Sequence, residues 1–233
     1  MVVRSNWREK MVNLSIIVEG GGSPTNVSVD TANNAESLRQ SLHSFFSRLL
    51  KRDDVQITIY LGYGYRNAAK QFSTSSIIGY LFVDSDQPQD CKYRWFDKLV
   101  DNFNPDNTII IPEDKKNNVF FMVQEMEAWF LKQIDCIIRW ANNEEYKRKH
   151  PEEDIKEHSV IKHKNIEDIK KPSDKLAIIL RHYFEKNKKG AQYGKLKTVP
   201  ALLDALNVCE LVSCDQELQR FIQAINNANG GVS

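Results

Sequence analysis

The sequence predicts an α/β fold with a mostly parallel sheet flanked by helices, followed by a C-terminal helical part. Three observations predict it. Apolar stretches of strand length alternate with amphipathic stretches of helical period over residues 13–140. The run Ser76–Asp86, SIIGYLFVDSD, carries no charge until its last residues, as a strand buried on both faces reads. Carboxylates stand where two of the strands end: Glu19 after the first, Asp84 and Asp86 after the later one. That strand edge is where open α/β sheets place ligands.

The elements follow in order. Residues 1–11 read as a charged leader, and Leu14–Val18 as a buried strand that stops at Glu19-Gly20-Gly21-Gly22. Three glycines permit a tight turn or the close approach of a ligand. A phosphate cradle and a flexible turn are both open, but without a following Gly-Lys-Ser/Thr a Walker A loop is excluded. After a polar loop, Ala35–Leu50 keeps helical spacing through Leu38, Leu42, Phe45, Phe46 and Leu49, with Asn33 or Asn34 as a cap. Val55–Tyr60 alternates as a strand and ends at Gly62-Tyr63-Gly64, a weak dinucleotide signal with no third glycine. Arg66 opens a short helix to Phe72, where it either reaches a phosphate or is an ordinary surface arginine.

The strand Ile77–Val83 follows, then a helix over Cys91–Phe103 and two short strands, Thr108–Ile111 and Asn118–Val123. At Gln124 the period becomes helical, with Met126, Phe130, Ile134, Ile137 and Ile138 on one face. Glu125 and Glu127 fall in its first turn, where the helix dipole favours negative charge. The alternative is that one of them, Glu127 by preference, leans into the acidic corner. Residues 12–141 thus form the α/β core. Residues 142–171 are dense in both charges and read as an exposed, mobile linker, with His158 and His163 solvated. Residues 172–228 read as helices packed on the core, over Pro172–Tyr183, Val199–Leu206 and Glu217–Ile225. Arg181, Lys186, Lys188, Lys189, Lys195 and Lys197, with Tyr193 among them, make the one strongly basic patch. It is either a phosphate platform with a stacking aromatic or a solvated loop.

Composition narrows the class. The 233 residues carry 27% charged side chains and a formal net charge of +1, so bulk charge argues for neither a nucleic-acid coat protein nor an acidic tail. None of the four cysteines forms a CxxC pair, which disfavours a zinc ribbon. The N-terminus lacks an apolar signal region and no apolar run approaches the length of a membrane span, so a cytoplasmic protein is expected. Clustered carboxylates at the end of a buried strand are costly unless bound, and a hard divalent cation with oxygen ligands is the usual answer. A divalent cation held by Glu19, Asp84 and Asp86, with Glu127 as a candidate further ligand, is therefore the expected site.

The segments Val18–Gly22, Phe82–Asp86 and Met122–Leu131, the last reading MVQEMEAWFL, resemble one family. It is the Toprim-like bacterial proteins of domain-of-unknown-function family 4276 (DUF4276), akin to the RloB-like group and related to nucleases of the overcoming-lysogenisation-defect type. The resemblance implies a Toprim-like Rossmannoid core in which Glu19 is the Toprim glutamate and Asp84 and Asp86 are the DxD pair that binds magnesium, with manganese as its substitute. Relatives often have Glu at the position of Asp86, and tend to carry a His where this chain has Phe120. They are often encoded beside ATPases in phage-defence loci, which implies an AAA- or ABC-type ATPase partner.

The expected activity is metal-dependent phosphodiester hydrolysis of DNA or RNA, catalysed by Glu19, Asp84 and Asp86. Arg66, Lys195 and Lys197 would hold backbone phosphates. The main alternative is a non-catalytic, metal- or nucleic-acid-binding subunit of an ATPase. A haloacid-dehalogenase-like phosphatase is disfavoured, because its DxD normally follows the first strand, where Glu19 stands here. Topoisomerase and primase accessory modules are missing from the sequence, and homodimerisation is left open.

Overall fold

The computed structural model describes residues 11–21 and 29–230. The leader and most of the polar loop, with Gly22, lie outside the described residues. Four parallel strands form the main sheet: β1 (Val12–Val18), β2 (Val55–Leu61), β3 (Tyr80–Asp84) and β4 (Val119–Met122), in the order β2-β1-β3-β4. The α/β class with a parallel sheet and C-terminal helices is as the sequence predicts.

Alternation along the strands divides the interior in two. Leu14, Ile16, Val18, Phe82, Phe120 and Met122 face the larger core, which is closed by α1 (Val29–Leu50) and the C-terminal helices. Ile17, Leu81, Val83, Val119 and Phe121 face a smaller one, closed by α2 (Tyr65–Thr74) and a 3₁₀ stretch over Gln89–Leu99. At Gly62 a Cβ would sit 2.4 Å from that of Ala68, so only glycine lets α2 pack this close to the end of β2.

Several elements depart from the sequence reading. α1 begins at Val29, earlier than the expected Ala35. The Cys91–Phe103 helix is instead the 3₁₀ stretch. It buries Trp95 and Leu99 and leaves Phe103 100% exposed. Thr108–Ile111 pairs with no strand; Ile109 N–H reaches the Leu99 carbonyl, and a one-turn helix α3 (Glu113–Lys116) leads into β4. The helix expected from Gln124 breaks at Gln133 into α4 (Glu127–Lys132) and α5 (Ile134–Asn143). The Gln133 side chain exchanges two hydrogen bonds with the backbone of Asn207, and that tie fixes the break.

Residues 142–171 have little regular structure, yet they are not simply exposed: Ile155, Ile161 and Ile169 are buried in the larger core. Their spacing has no period, so sequence alone did not reveal them. A small antiparallel sheet joins β5 (Lys147–Arg148) to the hairpin of β6 (Phe184–Lys186) and β7 (Lys189–Gly190). The hairpin turns at Asn187 and Lys188, both at positive φ, as a two-residue loop requires. α6 (Pro172–Tyr183) precedes it. α7 (Lys195–Ala205), α8 (Val208–Cys214) and α9 (Gln216–Gly230) complete the chain, α8 being absent from the sequence reading. No helix of the described residues is long and apolar enough to cross a membrane.

The edge strand β4 is closed by side chains of α9. Phe121 N–H donates to the Glu217 carboxylate (3.0 Å) and Arg220 donates to the Val119 carbonyl. Charged groups thus occupy the backbone positions a further strand would take. Glu217 is 2% exposed and also holds Lys92 at 2.9 Å. Burial works against its charge, but Arg220 and Lys92 outweigh it and keep the carboxyl below its ordinary range. A lowered folded pKa contributes stability above the unfolded value, lost as pH falls through the folded one. Glu217→Ala leaves Lys92 and Arg220 without their counter-charge and the Phe121 N–H without its acceptor, so it is expected to cost about 3–5 kcal/mol. Urea unfolding at neutral pH checks this, and the deficit should shrink as the solution is acidified.

Candidate functional site

With the order β2-β1-β3-β4, the chain runs outward in opposite directions from β1 and β3, so the crevice of the sheet opens between their C-terminal ends. Those ends carry Glu19 and Asp84. Glu19 N–H donates to the Phe82 carbonyl (2.8 Å), and Asp84 N–H donates to Glu19 Oε2 (3.2 Å), which sets the two carboxylates side by side. After Glu19 the chain turns at Gly20 and Gly21, both at positive φ; a Cβ on Gly21 would also meet the Tyr63 ring at 2.9 Å.

Asp84 is 5% exposed. Its Oδ1 accepts from Met126 N–H (2.9 Å) and its Oδ2 from the Lys195 ammonium (2.9 Å). Glu127 is fully buried. Its Oε1 accepts from the Tyr193 hydroxyl, and its Oε2 has no hydrogen-bond partner among the described residues. Tyr193 and Lys195 arrive together at the start of α7, whose far end is clamped. Arg48 donates to the Leu203 and Leu206 carbonyls and Arg139 to that of Ala205. These arginines satisfy orphan carbonyls at the C-terminal end of the helix.

The electrostatics are those of one shared site. Burial, then the Asp84 charge, pushes the Glu19 carboxyl up to about 8, although Lys195 opposes the shift. Burial raises Asp84 and Glu127 as well, again against Lys195. Lys195 itself loses hydration, but Asp84, Glu127 and Glu19 hold its pKa above that of an ordinary lysine. Burial and Glu127 keep the Tyr193 phenol protonated far above its usual value. The ammonium is the resident counter-ion of three carboxylates.

Asp86 lies apart from this set. In a strand, residues two apart share a face, but β3 ends at Asp84 and the backbone at Asp86 has φ +50°. Its side chain is 59% exposed and pairs with Lys98 at 2.6 Å. It lines a cleft of about 440 Å³ with Gln124, Glu125, Lys170 and Lys171. Its charge still contributes to the raised Glu19 pKa. No three of Glu19, Asp84, Asp86 and Glu127 bring ligand oxygens within 4.8 Å of one another. Glu125 accepts from Ser173 N–H at the start of α6, lines the Asp86 cleft and adds to the raised pKa of Asp84, so both glutamates stand near the corner.

Arg66 does not face the corner. Its guanidinium donates to the carbonyls of Lys98 (3.1 Å) and Asn107 and so ties down the segment between them. Lys197 is exposed on the first turn of α7. The basic patch divides: Lys186, Lys188 and Lys189 belong to the β6–β7 hairpin, and Lys186 pairs with Glu145. His158, expected to be solvated, is half-buried among His182 and Tyr183; His163 is exposed as expected. Sequence reasoning missed two roles, Lys195 as partner of Asp84 and Tyr193 as partner of Glu127. Their proximity in the sequence to the basic patch was the signal, but it suggested phosphate contacts.

Compared with protein-family models, curated proteins and solved structures, the chain matches none.

The raised pKa of Glu19 has a measurable consequence. A carboxyl that prefers its proton when folded loses stability as pH rises from the unfolded value, near 4.5, to about 8. Glu19→Gln mimics the protonated form. In chelator-containing buffer it is expected to raise the melting temperature at pH 8 and to leave it nearly unchanged at pH 4.5, by differential scanning fluorimetry at both.

Proposed function

We propose that this protein is a magnesium- or manganese-dependent phosphodiesterase acting on DNA or RNA, of Toprim nuclease type, with its centre at Glu19, Asp84 and Glu127. The single observation that carries the reading is the arrangement at the sheet crevice: half-buried Glu19 after β1 and buried Asp84 and Glu127 from β3 and α4 near one partly exposed ammonium, with Glu127 Oε2 left without a partner. The donors are all oxygen, as a hard dication prefers, and an orphaned buried carboxylate oxygen is costly without one. The donor chemistry fits such an ion; the oxygens would have to close in as Lys195 yields its place.

When bound, the ion supplies charge neutralisation at the scissile phosphate and polarises water. Asp84 and Glu127 would hold it. Glu19, beside Asp84 at the crevice, would take a proton from an attacking water. Lys195, displaced from Asp84 Oδ2 by the ion, would neutralise a phosphoryl oxygen. Asp86, on the rim with Lys98, Lys170 and Lys171, would orient the strand entering the cleft rather than complete the inner set. The family resemblance extends the proposal to an effector subunit in a phage-defence system, working with an ATPase.

Divalent-dependent cleavage of plasmid, linear DNA or RNA tests the proposal. The wild-type chain should cleave at least one of them, and Asp84→Asn should lose all detectable activity while keeping its fold by circular dichroism. Undiminished cleavage in that variant would overturn the assignment. Absence of cleavage by the wild type, with an ATPase recovered by pull-down, would favour the binding-subunit reading. For the exposed Lys197, Lys197→Glu should lower the slope of log Kobs against log salt by about 1 if it contacts one phosphate. An unchanged slope returns it to the solvated surface.

A further inference from the structure

A second group of ligand-type side chains lies at the other end of α6 from the Glu125 cap, roughly 14 Å along the helix at 1.5 Å per residue. His150, Glu152 and Glu153 follow β5, and His182 stands at the last turn of α6. We propose that His150, Glu153 and His182, with Glu152 as the fourth donor, form a binding site for a transition-metal dication of the zinc class.

Three of the donors converge at the surface, half-buried His150 with exposed Glu152 and Glu153, and His182 reaches them through Glu153. His150 Nδ1 lies 3.8 Å from Glu152 Oε1 and 3.8 Å from Glu153 Oε1, and His182 Nε2 lies 3.3 Å from Glu153 Oε2. One ligand atom each from His150, Glu152 and Glu153 falls within 4.8 Å of the others, the one such group among the described residues. Bonds of ~2.0–2.1 Å in a tetrahedral site place neighbouring ligand atoms roughly 3.3 Å apart, so the three converging donors need little movement, while His182, outside that group, would have to turn toward it. Two imidazoles with carboxylates suit zinc, whereas the oxygen-only corner at Glu19 and Asp84 suits a harder ion.

The backbone holds the group in place. Arg148 donates to the carbonyls of both His150 (3.2 Å) and Glu153, and Glu153 N–H donates to the His150 carbonyl (3.3 Å). Lys149 N–H donates to the Tyr183 carbonyl (2.8 Å), locking this turn against the end of α6. The His150 and His182 rings stack at 4.8 Å with His158 beside His182, and the two stacked imidazoles would have to tilt apart to aim their in-plane nitrogens at one ion. His158 Nδ1 accepts from Val160 N–H, so that ring is a wall rather than a donor to the ion. Outer contacts of this kind orient ligands and preserve their geometry. The ion would join residues 147–153, in the segment without regular structure, to the C-terminal helices. It is independent of the reading given to the acidic corner.

Zinc chloride titrated into the chelator-treated full chain, followed by calorimetry, tests the site. About one equivalent should bind, His150→Ala and His182→Ala should each weaken it roughly tenfold or more, and Asp84→Asn should leave it unchanged. Absence of binding, equal binding by the His150→Ala/His182→Ala double variant, or loss in Asp84→Asn would each overturn the proposal. Cobalt(II) added to the wild type gives a reading that no variant's folding can confuse. Tetrahedral d–d absorption without a thiolate band supports the site, while a thiolate charge-transfer band would assign the ion to a cysteine and overturn it.

Discussion

The ammonium of Lys195, hydrogen-bonded to Asp84 and set among Glu19 and Glu127, is the contact on which the rest of the molecule turns. The buried carboxylates of Asp84 and Glu127 cost several kcal/mol each to desolvate, and with half-buried Glu19 beside them the three also repel one another. A single positive charge among them offsets part of that. The remainder is seen in the raised pKa values of all three acids and in the unpartnered oxygen of Glu127. A site this strained in charge, at the crevice of a parallel sheet, is where chemistry is expected.

Everything around the corner serves to deliver those groups. Parallel register between β1 and β3 sets Glu19 beside Asp84. The turn after β3 is held by Ser85, whose Oγ accepts from Gln124 N–H (2.9 Å) and Gln87 N–H (3.2 Å), so β3 and the start of α4 are tied together. Asp84 in turn accepts from Met126 N–H, immediately before Glu127. The C-terminal helices, which lie outside the parallel sheet, are as necessary as the strands. α7 brings Tyr193 and Lys195, and the arginines from α1 and α5 hold its far end.

Much of this was legible in the sequence. The four strands, the amphipathic helices and the carboxylates at the strand ends all follow from short-range periodicity and polarity. What was not legible depended on contacts between distant residues or on a single backbone angle. Asp86 was paired with Asp84 by spacing, but a positive φ turns it outward to Lys98. Arg66 looked like a phosphate ligand until two backbone carbonyls, from residues 98 and 107, claimed its guanidinium. Gln133 looked mid-helical because its tie to Asn207 spans 74 residues. The isoleucines of residues 142–171 gave no period, yet they anchor a segment whose composition reads as solvated.

The central claim is that the carboxylates of Glu19, Asp84 and Glu127 exchange their ammonium counter-ion for a divalent metal. Anomalous scattering from a manganese-soaked crystal tests this most directly. The account predicts a peak between Asp84 and Glu127, within reach of Glu19, with the Lys195 ammonium moved off Asp84 Oδ2. Lys195 still bonded to Asp84, with no peak in the crevice at saturating manganese, would contradict it.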